Sequence, residues 1–258
     1  MKKILIVSVI VITLNSCFSA KGLPVKTVNE SDETAMPKQT NTSNLDHSTW
    51  DSLLKKYVAT NGDVDYKGLK NDANKLNEYI SYLEQQVPKD DWSINTQLAY
   101  FINVYNANTI KLILENYPVK SIKDIYNPWL KNRFIIGGKA FSLAGLENGI
   151  LRKMNEPRIH FAINCASVSC PKLLNEAYTE KNVMALMERA TKGFINNSKK
   201  NELGINKAKV SEIFKWYKGD FKEDGSIIDY INMYSDVKVS ATTEIQYLEY
   251  DWSLNKQN

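Results

Sequence analysis

Apolar residues recur at helical spacing over much of the chain. In the segments 49–60 and 69–87, leucine, isoleucine and tyrosine return every three or four residues, which is the spacing of one helix face. The same pattern predicts a helix over 180–195 and a shorter, aromatic-rich helix over 210–221. These segments predict a domain in which amphipathic helices cover an apolar core.

The longest predicted helix covers 95–116 and ends just before Pro118, because proline blocks further helix. With about 100° of rotation per residue, Asn103 and Asn106 fall within its apolar stripe beside Ile110. A buried amide without partners costs roughly 1–3 kcal/mol. The two asparagines therefore either hold a substrate or brace the main chain of a neighbouring loop, and main-chain partners are the commoner arrangement.

Short strands are expected between the helices. The segments 134–136 and 139–141 flank a Gly-Gly pair, which is a strong signal for a two-residue hairpin. Further short strands are expected at 237–239 and 245–250. Strands and helices do not alternate regularly, which predicts an α+β fold: a mostly helical single domain with a small, partly antiparallel sheet.

A segment rich in chemically useful side chains lies at 158–171, Arg-Ile-His-Phe-Ala-Ile-Asn-Cys-Ala-Ser-Val-Ser-Cys-Pro. Its first half alternates apolar and polar residues, which predicts a strand with His160 and Asn164 on one face. Cys165 would then point the other way, and only a turn between the two cysteines would bring Cys170 back towards His160. The segment predicts a site without naming its reaction.

The hairpin is followed by a candidate partner for this site. Ser142 is a suitable helix N-cap, and a short helix is expected over 143–154. That helix carries Glu147, which we count with His160 among the candidate catalytic residues.

Composition excludes several classes of protein. The 258 residues are 43% hydrophobic and 24% charged, close to the average of globular domains. Without Lys2 and Lys3 the chain has 31 basic and 29 acidic side chains, a net charge of +2. No run of Lys or Arg is longer than two, so a nucleic-acid partner is not expected.

The N-terminus predicts export. Two lysines precede the apolar run 4–14, which is too short to span a bilayer and is typical of a signal peptide. The sequence Leu-Asn-Ser-Cys at 14–17 resembles the lipobox of bacterial lipoproteins. The resemblance implies cleavage after a 1–16 signal peptide and a diacylglycerol on Cys17, which would anchor the chain to a membrane. An ordinary signal peptide with an incidental cysteine is the alternative.

The residues after Cys17 are polar up to about Leu45 and have almost no aliphatic periodicity, so they bury too little apolar surface to fold. We therefore expect a lipidated cysteine and flexible tether over 17–45 and a globular domain over 46–258. His47, at the boundary, is expected to be solvated. The domain should lie in the bacterial cell envelope, on the periplasmic side of a membrane.

Several motifs occur in a defined order: Leu-Ala-Tyr-Phe-Ile-Asn-Val-Tyr-Asn-Ala at 98–107, Tyr-Pro-Val-Lys-Ser-Ile at 117–122, the 142–152 and 158–171 segments, Phe-Lys-Trp-Tyr-Lys-Gly-Asp-Phe at 214–221 and Tyr-Asp-Trp-Ser-Leu-Asn at 250–255. Together they resemble the domain of unknown function 547 family over most of 46–258. The family name implies no activity. Members commonly have histidine after the residue that matches Glu147, and this chain has Asn148, which leaves His160 as the candidate imidazole.

The cysteine motif has three interpretations. The first is a disulfide between Cys165 and Cys170, since an exported protein meets an oxidising compartment and the two form one pair after lipidation of Cys17. The second is a thiolate nucleophile activated by His160, with Glu147 or Asn164 fixing the imidazole. The third is a zinc or copper site from His160, Cys165 and Cys170, with or without Glu147, although their spacing matches no recognised zinc pattern.

The nucleophile interpretation has a structural parallel. A helix of small and polar residues facing a histidine-bearing strand is similar to the layout of papain-like and transglutaminase-like enzymes, so a distant relationship to that fold is open. Their nucleophile lies at a helix start, where this chain has Asn103 and Asn106. The candidate site therefore consists of His160, Cys165, Cys170 and Glu147 for chemistry and of Asn103, Asn106 and Asn164 for substrate.

The leading hypothesis is a lipid-anchored envelope protein with a binding or scaffolding role and no required cofactor. The alternative is a cysteine-dependent hydrolase or transferase acting on an amide or ester. Aromatic residues of the last third either line a groove for a peptide or glycan or fill the core, and core packing is the more usual role; they are Trp216, Tyr217, Tyr230, Tyr234, Tyr247 and Trp252.

Overall fold

The computed structural model of this chain describes residues 20–28, 45–222 and 225–257. Its α-helices are α1 (Ser48–Tyr57), α2 (Tyr66–Leu69), α3 (Ala73–Gln85), α4 (Ile94–Asn116), α5 (Leu143–Gly149), α6 (Ile159–Ala162), α7 (Val183–Ile195), α8 (Ile213–Trp216) and α9 (Ile227–Tyr234). Its strands are β1 (Phe134–Ile136), β2 (Lys139–Phe141), β3 (Glu202–Gly204), β4 (Lys207–Ser211) and β5 (Ile245–Leu248). They form one α+β domain, as the sequence predicts, but the strands form two small sheets instead of one.

Helix α4 is the centre of the core. Its N-terminus is capped by Ser93, whose hydroxyl accepts a hydrogen bond from the N–H of Thr96 at 3.0 Å. Almost all its residues from Thr96 to Leu114 are buried, because α3, α5 and α7 pack around it. The predicted helix over 95–116 is therefore confirmed, but it is enclosed on all sides instead of lying on a surface.

The predicted hairpin is also confirmed. Strands β1 and β2 pair antiparallel, with Phe134 opposite Phe141. Gly137 and Gly138 form the turn with φ of 56° and 73°, values that glycine adopts without strain. Ser142 then caps α5 by accepting from the N–H of Gly145 at 3.0 Å, which fixes the start of the helix that carries Glu147.

The second sheet departs from the sequence prediction. Strand β4 pairs antiparallel with β3 and parallel with β5, so residues 207–211 are a strand where a helix from 210 was expected. The helix in that region is only the single turn α8. The prediction of a strand at 237–239 is wrong, because this segment has irregular backbone that is hydrogen-bonded to Asn232.

Residues 20–28 lie against the domain although they belong to the expected tether. Leu23 is buried, the N–H of Lys26 donates to Gln97 at 2.9 Å, and the N–H of Val28 donates to the carbonyl of Met154 at 2.7 Å. The expected signal peptide and Cys17 lie outside the described residues. Within the described part of the chain, no helix is long and apolar enough to cross a membrane.

His47 is not solvated as expected. Its side chain is buried at the start of α1, and its Nδ1 lies 2.7 Å from the hydroxyl of Tyr79. Burial lowers the pKa of His47 to about 4, because a charged imidazole loses its hydration there. The folded domain therefore begins with a neutral, packed histidine.

Candidate functional site

A cavity of about 280 Å³ lies between α5, α6, the loop that carries the two cysteines (165–170, the cysteine loop) and the C-terminal segment 250–252. Six tryptophan and tyrosine rings line it: Tyr105, Trp129, Trp216, Tyr217, Tyr250 and Trp252. The polar groups that reach it are Glu147, Asn148, His160, Cys165 and Cys170. The cavity therefore brings together every candidate catalytic residue predicted from the sequence.

His160 is held by a charged network. Its Nε2 lies 2.7 Å from Oδ2 of Asp220, and because Asp220 is an ionised acceptor, Nε2 donates the hydrogen bond. Arg152 binds the same carboxylate in a bidentate manner, with both N–O distances at 2.6 Å. Burial acts to raise the pKa of Asp220, but the hydrogen bonds from Arg152 and His160 outweigh it and hold that pKa well below its usual range.

Tyr217 packs the imidazole in place. Its ring is stacked on His160 with 3.9 Å between centroids, and the guanidinium of Arg152 lies 5.5 Å from the same ring. The Nδ1 of His160 is buried and has no hydrogen-bond partner in the described part of the chain. With Nε2 bonded to Asp220, Nδ1 is left for a ligand: it accepts a hydrogen bond when the ring is neutral and donates one when the ring is charged.

The predicted strand through His160 is wrong, because residues 159–162 form the single helical turn α6. Ile159, Phe161 and Ala162 are all buried, so the turn is apolar on every side except where His160 meets Asp220. A short apolar run of this kind has no period that distinguishes strand from helix. His160 and Asn164 consequently do not share a strand face.

The cysteine loop folds back on itself as the sequence analysis required. Ala166 has φ of 59°, and its N–H is bonded to Oδ1 of Asn164 at 2.8 Å. This turn brings Sγ of Cys170 to 2.9 Å from the N–H of Cys165. Both thiols are free in the structure, so the expected disulfide is not present, and the sulfurs are joined by hydrogen bonding.

Cys165 has the environment of a stabilised thiolate. Its Sγ lies 3.2 Å from the hydroxyl of Ser167 and 3.3 Å from that of Tyr250. Hydrogen bonding from Cys170, aided by Ser167 and Tyr250, outweighs burial and lowers the pKa of Cys165 to about 7. Burial raises the pKa of Cys170, so the two thiols differ in reactivity.

Glu147 extends from α5 into the cavity and is 6% exposed. One oxygen, Oε2, accepts a hydrogen bond of 3.3 Å from the hydroxyl of Tyr105. The other, Oε1, is buried and has no partner among the described residues. Burial is the main cause that raises the pKa of both Tyr105 and Tyr217, and the charge of Glu147 is the second cause. These two hydroxyls therefore stay protonated beside the carboxylate.

The side chains of the three asparagines expected to bind substrate are hydrogen-bonded to the main chain instead. Asn103 bonds the carbonyl and N–H of Tyr178 at 2.7 and 3.3 Å. Asn106 donates to the carbonyl of Ala162 and accepts from the N–H of Asn164, at 3.0 and 2.8 Å. Both are almost fully buried and neither lines the main cavity. They brace the main chain, which is the second of the two roles considered above.

Asn164 has the same structural use. Its Nδ2 donates to the carbonyl of Pro171 at 2.7 Å, while Oδ1 holds the turn at Ala166. Its side chain therefore ties the two ends of the cysteine loop together. With Asn106 bonded to its N–H, it connects α4 to that loop.

Asn148, the residue after Glu147, also lines the cavity. Its Oδ1 accepts a hydrogen bond from Arg152 at 2.8 Å, so this position supports the Arg152–Asp220 pair.

The geometry does not support the metal interpretation of the cysteine motif. Among the described residues, no three His, Cys, Asp or Glu side chains are grouped so that they could hold an ion.

Comparison with known proteins gives one match. Residues 89–195 match the family model described as "Protein of unknown function, DUF547". The match supports the DUF547 family for this domain. It runs from just before α4 to the end of α7 and includes Glu147, His160, Cys165 and Cys170. No curated protein and no solved structure matches the chain.

Some side chains of the site were not predicted from the sequence. Asp220, which binds His160, was not among the candidates, whereas Tyr217 was named only as one of the aromatic residues of a groove or core. Both lie in the Phe-Lys-Trp-Tyr-Lys-Gly-Asp-Phe motif that supported the DUF547 resemblance. Tyr250 comes from another such motif. An acidic residue among aromatics was the available signal for Asp220, because a buried histidine needs an acceptor. Trp129 lies outside the quoted motifs.

Proposed function

We propose that this protein is a lipid-anchored component of the bacterial envelope whose DUF547 domain binds part of a peptide or glycan in the cavity. The observation that carries the proposal is the buried Oε1 of Glu147, which lines the cavity and has no partner in the described chain. A buried carboxylate oxygen without a donor is costly. A ligand that supplies the missing donor would remove that cost.

The wall of the cavity supports a binding role. Tryptophan and tyrosine rings provide flat apolar surfaces for sugar rings or peptide side chains. Trp216 is 44% exposed at the rim, so the cavity is reached from solvent. The Nδ1 of His160 is a second buried polar atom that has no partner among the described residues. Apolar faces with a few convergent polar atoms are typical of ligand sites.

Tryptophan fluorescence tests the binding role directly, because Trp129, Trp216 and Trp252 line the cavity. We expect some members of a panel of short peptides and oligosaccharides to change the emission of the full-length protein. Ala144→Phe should abolish the change by filling the cavity, whereas Ala185→Phe, at an exposed position of α7, should not. Equal responses in both variants would refute binding at this site.

The anchor is tested by metabolic labelling with an alkyne fatty acid in a bacterial host. The wild type and Cys165→Ser should incorporate the label and sediment with membranes. Cys17→Ser should remain unlabelled. Label on Cys17→Ser, or none on the wild type, would remove the lipid from the proposal.

A cysteine-dependent hydrolase or transferase is the second candidate, and the lowered pKa of Cys165 favours it. In such a reaction the thiolate would attack an amide or ester carbonyl, and the leaving amine or alcohol would take a proton. Within the described part of the chain, the sulfur of Cys165 is hydrogen-bonded to the hydroxyls of Ser167 and Tyr250 and to no imidazole. His160 is bonded to Asp220 instead of to a sulfur. Binding is therefore the function that the geometry supports better.

A further inference from the structure

We propose that the ligand carries an ammonium group and that the cavity recognises this cation between the Glu147 carboxylate and the aromatic wall. This inference rests on the proposed binding function and adds the chemical class of the ligand. Its first support is the unpaired Oε1 of Glu147. A carboxylate has only acceptor atoms, so the missing partner is a donor, and a cationic donor forms the stronger bond.

The second support is the arrangement of the rings. Trp252 contacts three of its neighbours: its ring centroid is 4.6 Å from Tyr250, 5.6 Å from Trp129 and 5.7 Å from Trp216. These rings form one continuous aromatic surface. The faces of tryptophan and tyrosine attract cations, and clustered rings of this kind are the known device for binding substituted ammonium groups.

Trp252 already shows this affinity within the chain. The ammonium of Lys123 lies 5.3 Å from its ring centroid. The ring is therefore placed where a cation is accepted, and its contacts with Tyr250 and Trp216 extend the same type of surface over the cavity.

The charges around the cavity are consistent with a cationic ligand. The positive groups near the cavity include Arg152, Lys123 and Lys200. The guanidinium of Arg152 is bonded to Asp220 and Asn148, so its charge is matched by that of Asp220. The ammonium of Lys123 lies over the ring of Trp252, and that of Lys200 is 3.2 Å from the carbonyl oxygen of Cys170. Glu147 is hydrogen-bonded by tyrosine hydroxyls, from Tyr105 at 3.3 Å and from Tyr217, whose pKa this bond helps to raise. Within the described part of the chain it forms no ion pair, so the negative charge of its carboxylate has no cationic partner there. The partly ionised thiol of Cys165 adds to it.

A primary ammonium on a peptide or amino sugar and a quaternary ammonium on a small head group share this chemistry. A primary ammonium donates hydrogen bonds to Oε1, whereas a quaternary one depends on charge and ring faces alone. Methylammonium and choline represent the two sources. A cavity of about 280 Å³ accommodates either group.

The test is titration calorimetry of the full-length protein with choline, methylammonium and 3,3-dimethyl-1-butanol, the neutral isostere of choline. We expect at least one cation to bind at least tenfold more tightly than the isostere. Glu147→Gln should reduce that binding about tenfold without changing the weak binding of the isostere. Glu78→Gln, at an exposed position of α3, is the matched control and should bind like the wild type.

Trp252→Leu is the second variant and should also weaken the cation more than the isostere, with circular dichroism verifying that each variant is folded. Equal affinity for choline and the isostere, or an unchanged Glu147→Gln, would overturn the inference. If peptides or oligosaccharides without an ammonium group bind and Ala144→Phe blocks them, the cation inference fails while the proposed function stands. Absence of binding by every probe would reject both.

Discussion

The Nε2 of His160 is 2.7 Å from Oδ2 of Asp220, although the two residues are 60 positions apart in the chain. Arg152 binds the same carboxylate from a third segment. One carboxyl group therefore joins α6, the 3₁₀ helix Leu151–Met154 and the loop after α8. This connection sets the position of the imidazole on one wall of the cavity.

Replacing Asp220 with asparagine should weaken the fold. We expect Asp220→Asn to lower the free energy of unfolding by about 1–3 kcal/mol at pH 7, because charge-assisted hydrogen bonds are lost. The pKa of Asp220 is lowered in the folded state, so its contribution is present above the ordinary value near 4 and is lost as the pH falls further. Urea unfolding at pH 7 and at about pH 2.5 should show the difference shrinking.

Asp90→Asn provides the control for this comparison, because Asp90 is exposed. It should change the free energy of unfolding by less than about 0.5 kcal/mol at either pH. An Asp220→Asn variant as stable as Asp90→Asn at pH 7 would show that the carboxylate does not hold the three segments together.

The buried His47 should make stability depend on mildly acidic pH. Its pKa is lowered to about 4 in the folded protein and returns to about 6.5 on unfolding. Protons then favour the unfolded chain, so stability is full above pH 6.5 and declines between pH 6.5 and about 4, by about 3 kcal/mol at most.

His47→Asn tests this, since an asparagine amide can still reach the hydroxyl of Tyr79 but does not titrate. Thermal unfolding followed at several pH values from 4 to 7 should show a shallower slope for the variant than for the wild type. Parallel slopes would mean that His47 is solvated after all, as its position in the sequence indicated.

Cys165 should be alkylated with a midpoint near neutral pH. Its pKa is lowered to about 7, chiefly by the hydrogen bond from Cys170, and the thiolate is the reactive form. Iodoacetamide labelling rates from pH 5.5 to 9.5, read by mass spectrometry of the native protein, should give that midpoint. Cys170→Ala should move it upwards, towards the value of an ordinary thiol.

Ser169→Ala is the corresponding control, because the Ser169 hydroxyl accepts from the N–H of Asp251 and is not among the recorded hydrogen-bond partners of Cys165. It should leave the midpoint unchanged. A midpoint near 9 in all three proteins, or recovery of a Cys165–Cys170 disulfide that blocks labelling, would contradict the arrangement of the two thiols described above.

The elements predicted correctly from the sequence are those whose ends or turns are fixed by residues next to them in the chain. Helix α4 has a serine cap and a proline just beyond its end, and the β1–β2 hairpin has two glycines at its turn. Segment 159–162 has no such residues, and a short buried apolar run has no period that distinguishes a helix from a strand. Strand β4 was missed because its role depends on pairing with β5, which lies over thirty residues later.

The site was predicted in part. His160, Cys165 and Cys170 lie within a few positions of one another, so their proximity followed from the segment itself, and Glu147 was identified from the short helix predicted before that segment. The contribution of Asp220 depends on tertiary packing over 60 positions, which no local pattern encodes. The role of Asn106 was open for a related reason: a buried amide requires partners, but its position on α4 does not reveal whether these are main chain or ligand.

The docking of residues 20–28 alters how far the domain could stand from a membrane. Ala20 is bonded through its carbonyl to the N–H of Leu23, which is buried in the domain. If Cys17 carries the lipid, as proposed, only two residues, 18 and 19, separate it from this docked stretch, and the three residue steps from 17 to 20 span about 10 Å at full extension. The flexible tether expected from composition would then leave almost no free chain between the lipid and the domain. The globule would sit directly on the lipid headgroups, with one side facing them and the rest facing the periplasm.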